Sequence, residues 1–240
     1  MDTLAQRGSP LFATTQWTLV FAAGGGNVTA KREALASLCQ AYWEPIHGYI
    51  LRRGYGEETA KDLTQEFFAR LLKNDWLTGL TREGSKFRAF LLVAVKRFLA
   101  VENEHRCAQK RGGGVAPIPL GERDSPEAVA TEDTPEQAYD RSWALIVIDR
   151  AIGRLRAEAQ ASGRAVMFER LSRFLPTDPE PGAYDQAADA LGITRATVAM
   201  TVYRLRIRLR EQIRTEVADT LSDTRLVEDE MRALIRALRA

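Results

Sequence analysis

Residues 184–206, YDQAADALGITRATVAMTVYRLR, decide how this chain is read. Residues 185–191 predict a short helix whose small Ala187 and Ala188 permit close helix approach. Gly192 supplies the backbone freedom a sharp turn needs, and Thr194 is placed to cap a second helix. Val198, Val202, Leu205 and Leu209 then recur at helical spacing as an inward face. Arg195, Thr197, Thr201 and Arg204 fall on the other side, where a recognition helix meets the major groove. Arg206, Arg208, Arg210 and Arg214 carry positive charge onward toward phosphates. An ordinary αα-hairpin with a solvated basic face shares part of this pattern. The agreement of small residues, turn glycine, cap and apolar register favours a helix-turn-helix.

The rest of the chain is also helical in period, with almost no sustained strand-type alternation. An apolar segment at 14–23 ends at Gly24-Gly25-Gly26. Residues 31–53 place Leu35, Leu38, Tyr42, Ile46, Tyr49 and Ile50 on one face, with Pro45 expected to kink or interrupt them. Residues 57–73 make the clearest amphipathic helix, with the stripe Ala60, Leu63, Phe67, Leu71 and two acids in the first turn. After a polar loop at 78–86, a helix is expected from 87 to about 111, apolar at first and basic at its end. Residues 112–138 hold three consecutive glycines, four prolines and six acids against one base, and read as a flexible acidic linker. A second helical unit is expected to start near 135 and to include helices at 142–161 and 164–175, followed by helical stretches at 184–216 and 229–238.

The expected fold is therefore all-α, with two small helical domains joined by an acidic linker and a helix-turn-helix in the second. The boundaries are an N-terminal extension at 1–30, a first domain at 31–111, the linker at 112–138, a second domain at 139–216 and a C-terminal extension at 217–240.

Composition narrows the chemistry. The chain has 240 residues, 45% hydrophobic and 28% charged, enough to bury real cores and too apolar for global disorder. Cys39 and Cys107 cannot build a disulfide framework, and His47 and His105 form no metal-ligand motif, so no metal or cofactor is expected. The glycine-rich stretches lack the Lys-Ser/Thr of a phosphate loop, and no nucleophile sits beside a histidine in any motif, so catalysis is not expected. No run approaches a membrane span and no secretory signal is visible, which predicts a soluble, cytoplasmic protein. The net charge of +2, from 34 bases and 32 acids, conceals an uneven layout. Basic stretches at 96–111 and 203–214 flank the acidic linker.

The order of these motifs resembles the extracytoplasmic-function (group IV) sigma factors of bacterial RNA polymerase. The resemblance rests on DLTQEFFARLL at 62–72, FRAFLL at 87–92, the basic helix end, the acidic linker and the helix-turn-helix. It covers about residues 35–214. It implies that Asp62, Gln65, Glu66, Phe67, Arg70 and Leu71 belong to the contact with the β′ clamp of the polymerase or to the packing beneath it. It implies that the following helix reads the −10 element, with Arg88, Lys96, Arg97, Arg106, Lys110 and Arg111 as its cations and Phe87, Phe90 and the 78–86 loop near an unstacked base. Aromatics at such spacing also pack inward in ordinary cores. The resemblance implies a −35 reader at Arg195, Thr197, Thr201, Arg204, Arg206 and Arg208, and partners in core polymerase (β′ clamp and β flap) and promoter DNA.

Several positions depart from the family's pattern. Phe90 stands where Trp is usual, and Arg97 and Val101 stand where Asn and Asp are common. An acidic D-A-E-D cluster is replaced by Thr59-Ala60-Lys61-Asp62. Phosphorylation of Thr59 would restore negative charge at a helix N-terminus, which points to a Ser/Thr kinase as a regulator, with an anti-sigma protein as the other candidate. Glu57 and Glu58 already supply acid at this end. The rival to the polymerase reading is a helix-turn-helix regulator that never joins the enzyme. The extensions carry apolar helical faces with three open placements: covering the first domain, extending the second, or occluding function before activation.

Overall fold

The computed structural model describes residues 28–73, 86–111, 133–221 and 223–239, with side chains described throughout except at 28–39, 72 and 106–111. The readings of a helix at 14–23, the body of the 78–86 loop and the linker at 112–132 lie outside the described residues. Among the described residues the protein is all-helical. The order is α1 (Val28–Arg52), α2 (Glu57–Lys73), α3 (Phe87–Arg111), α4 (Pro135–Ala161), α5 (Ala165–Leu171), α6 (Ala183–Leu191), α7 (Arg195–Ala218) and α8 (Val227–Arg239). Single 3-10 turns occur at Ser172–Phe174 and Thr224–Leu226. Lys86 and Leu221 form an isolated antiparallel bridge.

Two compact units emerge, one from the described residues through Ala144 together with those from Ala218 on, the other Leu145–Val217. In the first, α1 continues through Pro45 without interruption. Proline removes one backbone donor, and the burial of Tyr42, Ile46, Tyr49 and Ile50 on this helix offsets the loss. Gly54, at φ +88°, turns the chain from α1 into α2. The stripe Ala60, Leu63, Phe67 and Leu71 of α2 is buried throughout. Phe67 meets Phe98 of α3 edge-on at 5.7 Å between centroids, and Tyr42 of α1 meets Phe87 of α3 at 5.1 Å. The first turn of α4 lies in what reads as linker, and Tyr139 of α4 is fully buried against Tyr49.

The C-terminal helix α8 belongs to this first unit. Its stripe Val227, Glu230, Leu234, Ala237 is buried, so an acid occupies a core position of an otherwise apolar face. Glu230 forms ion pairs with Arg88 and with Lys86, the latter at 2.7 Å. Burial would raise the Glu230 pKa, but the hydrogen bond and charge of Arg88, joined by Lys86, outweigh it and hold the carboxyl below its usual range. Arg88 also pairs with Asp140 and lies 4.6 Å from the ring centroid of Trp143, while its backbone carbonyl accepts from the Tyr139 hydroxyl at 2.9 Å. The C-terminal helix thus packs within the first unit and does not extend the second.

The second unit is built on Leu171, Phe174, Ala187, Ala188, Val198 and Val202, with Met167, Tyr184, Leu191, Ile193 and Leu205 packed around them. Phe174 and Tyr184 meet edge-on at 5.1 Å.

Candidate nucleic-acid interface

The nine-residue α6 ends at Gly192, whose φ of +64° is a left-handed conformation that side-chain-bearing residues rarely adopt. The Ile193 N–H donates to the Ala188 carbonyl at 3.1 Å, closing the helix in the six-to-one pattern that glycine-terminated helices use. Thr194 then caps α7: its hydroxyl accepts from the Thr197 N–H at 3.1 Å and contacts the Thr197 hydroxyl at 2.8 Å. Ala187 and Ala188 of α6 are buried against Val198 and Val202 of α7, so small residues here do allow close approach.

This arrangement sorts the α7 side chains. Arg195 and Thr197 are exposed in the first turn, and Arg195 lies 3.5 Å from Asp185 on α6. Thr201 is half-buried and donates its hydroxyl to the Thr197 carbonyl at 2.7 Å. Arg204 is exposed and has no hydrogen-bond or ion-pair partner among the described residues. Arg206 is used differently. It donates to the carbonyls of Phe174 at 2.9 Å and Thr177 at 2.7 Å and pairs with Asp178 at 3.0 Å. Arg208 is held between Glu158 at 3.2 Å and Glu211 at 3.0 Å, and these partners raise its pKa further. Thr201, Arg204 and Arg208 line a cleft of about 370 Å³ together with Glu158, Arg164 and the apolar Leu155, Met167, Phe168 and Leu205. Such a cleft suits an apolar side chain with an acid beside it.

In the first unit, Asp62, Gln65 and Glu66 are exposed on α2, whereas Phe67 beneath them is fully buried. Arg70 pairs with Glu66 one turn back on α2 at 2.8 Å and ties α2 to α3 through Glu102 at 2.6 Å, and its guanidinium sits 5.2 Å from the Phe98 centroid. Thr59, the third residue of α2, is half-buried, and Lys61 is exposed. On α3, Arg88 is enclosed by the pairs described above. Lys96 binds Glu136 at 2.7 Å, a contact that lowers the Glu136 pKa and raises that of Lys96. Arg97 is exposed with no such partner among the described residues. Arg106, Lys110 and Arg111 occupy the last turns of α3. Phe87 and Phe98 are buried, and Phe90 is half-buried, stacked on Phe87 at 6.1 Å.

Sequence reasoning passed over Glu230 and the enclosure of Arg88. The available signal was an acid at 230 in register with Val227, Leu234 and Ala237. Among the described residues, no helix is long and apolar enough to cross a membrane, and no cluster of three His, Cys, Asp or Glu side chains is placed to hold a metal. Comparison with known proteins finds no matching family model, no matching curated protein and no matching solved structure.

Proposed function

We propose that this chain is a sigma factor of the extracytoplasmic-function type, a non-catalytic cytoplasmic subunit that joins core RNA polymerase and directs it to promoters. The observation that carries the reading is the capped α7, which exposes Arg195, Thr197 and the unpaired Arg204 from its first turns, behind a glycine turn and a short helix packed through alanines. A helix N-terminal half with exposed cations and an exposed hydroxyl is chemically suited to major-groove edges and phosphates. The exposed Asp62, Gln65 and Glu66 of α2 suit a basic polymerase surface such as the β′ clamp. The apolar cleft rimmed by Arg204 suits a second contact, with the β flap. In this reading the first domain opens the −10 element, with Arg97 its exposed cation, and the second, helix-turn-helix domain binds the −35 element.

Control is proposed to act at Thr59. A phosphate there would add about −1.5 to −2 of charge to the first turn of α2, next to the face that meets polymerase. Equal promoter activity from Thr59→Ala and Thr59→Glu proteins would end this part of the reading.

The decisive experiment combines the full chain with core polymerase and a library of promoter fragments. Discrete start sites that depend on the chain support the proposal. Sequence-specific DNA binding without polymerase association favours an independent helix-turn-helix regulator, and absence of both overturns the DNA-reading role.

A further inference from the structure

The face of α7 that points directly away from the core is apolar. An α-helix advances about 100° per residue, so Ala196, Met200, Tyr203 and Ile207 form one stripe roughly opposite Val198, Val202 and Leu205. Met200 is 50% exposed, Tyr203 60% and Ile207 45%, on a helix otherwise rich in arginine. Arg204 flanks the stripe, exposed and unpaired, and Arg195 precedes it in the first turn. Leaving such groups in water forgoes stabilisation in proportion to their apolar area, so this stripe calls for a partner that covers it.

We propose that Met200 and Tyr203, with Ala196 beside them, read the 5-methyl groups of thymines in the promoter element bound by α7. The inference rests on the promoter-reading role proposed above. Charge complementarity selects the occupant: the apolar stripe is bordered by cations, and a duplex is the partner that offers a polyanionic border around a groove. Within the major groove the apolar feature a base pair presents is the thymine C5-methyl. Met200 and Tyr203 lie in the first two and a half turns of α7, the part of a recognition helix that meets base edges, whereas Ile207 lies a turn further on. Arg204 then supplies the neighbouring guanine or phosphate contact. The preferred site thus contains thymine at the centre of the α7 footprint.

The test uses the full chain bound to core RNA polymerase and a random-sequence duplex pool from which its preferred site is selected. Each thymine of that duplex is then replaced singly by deoxyuridine, which removes the methyl and nothing else. At least one replacement is expected to weaken binding about fourfold, the worth of one buried methyl group. In Met200→Ala or Tyr203→Ala proteins the thymine and uracil duplexes should bind alike. Both residues are exposed, so circular dichroism of the variants should match the parent. Uracil duplexes that all bind within the error of the thymine duplex overturn the inference, as does a methyl effect that persists undiminished in both variants. A chain that sediments as a dimer broken by Met200→Ala also overturns it, since the stripe then serves a second copy. Failure to select any duplex sequence removes the promoter-reading role itself, a different result from selection without a methyl effect.

Discussion

Arg88 and Glu230, separated by 142 residues of chain, share a charge-assisted hydrogen bond in which the acceptor carboxylate is fully buried. With Lys86 and Asp140 they form a four-membered alternation of charge that fastens α8 to the start of α3 and to α4. Taking charges out of water is costly, so the pair is worth less than its Coulomb energy, but removing one member strands the other.

Replacing Glu230 with alanine should therefore destabilise the first unit by about 3–5 kcal/mol, and Glu230→Gln should fall between. Urea unfolding followed by the fluorescence of Trp143, which lies against Arg88, measures this. A loss under about 1 kcal/mol would show that water readily replaces the carboxylate.

The same carboxyl gives the stability a pH dependence. Its folded pKa is depressed, so its contribution is present in full above the unfolded value of about 4.3 and is lost as pH falls through the folded value. Acid unfolding of the parent should be steeper below about pH 4.3 than that of Glu230→Gln. Identical acid limbs for the two proteins would contradict the assignment.

Two arginines on α7 should separate cleanly in their effects. Arg206→Ala leaves the Phe174 and Thr177 carbonyls without their donor and is expected to cost about 1–3 kcal/mol in a thermal melt. Arg206→Lys should recover only part of that, because an ammonium cannot reproduce the fork. Arg204→Ala should leave the melt unchanged while lowering duplex affinity and reducing the slope of log K against log salt by about one. The reverse pattern would reassign both side chains.

Thr194→Ala removes the acceptor for the Thr197 N–H and should lower stability of the second unit by about 1 kcal/mol. Thr194→Asp should retain it, since aspartate caps equally well. Hydrogen exchange at Thr197 reads the cap directly.

The polymerase contact proposed for α2 predicts that the double variant Asp62→Ala with Gln65→Ala weakens association with core polymerase by about tenfold or more, the worth of one charge-assisted hydrogen bond, without moving the melting temperature. Both side chains are exposed, so any shared loss of stability and binding would point to packing instead.

Helix limits set by glycine and by amphipathic period were readable without coordinates. The α2 range 57–73 and the α3 range 87–111 coincide with the expected ones, and the stripe Ala60, Leu63, Phe67, Leu71 is buried as its period requires. The Thr194 cap and the Gly192 turn were equally legible, because each follows from the chemistry of a single residue. The division of labour among arginines was not. Arg204 and Arg206 are two residues apart with the same side chain, and what separates them is the carbonyl-rich turn at 174–177 that meets one and not the other. Such long-range neighbours leave no trace in local period. Pro45 shows the complementary effect: a local helix breaker is overridden where the surrounding face is buried in aromatics.

The placement of α8 separates the order of synthesis from the order of completion. Translation delivers α1, α2 and α3 first, and the second unit, Leu145–Val217, is a continuous stretch whose every residue precedes Glu230. Vectorial folding favours continuous stretches as they emerge, so the second unit can close while the first still holds Arg88 without its main counterion. A chain stopped before residue 230 lacks the buried acid and leaves Arg88 with Asp140 as its remaining acidic partner, a first unit short of its full stability and open to sorting by chaperones and proteases. The first unit thus depends for its buried acid on a helix that follows the entire second unit in sequence, 142 positions from the arginine it holds.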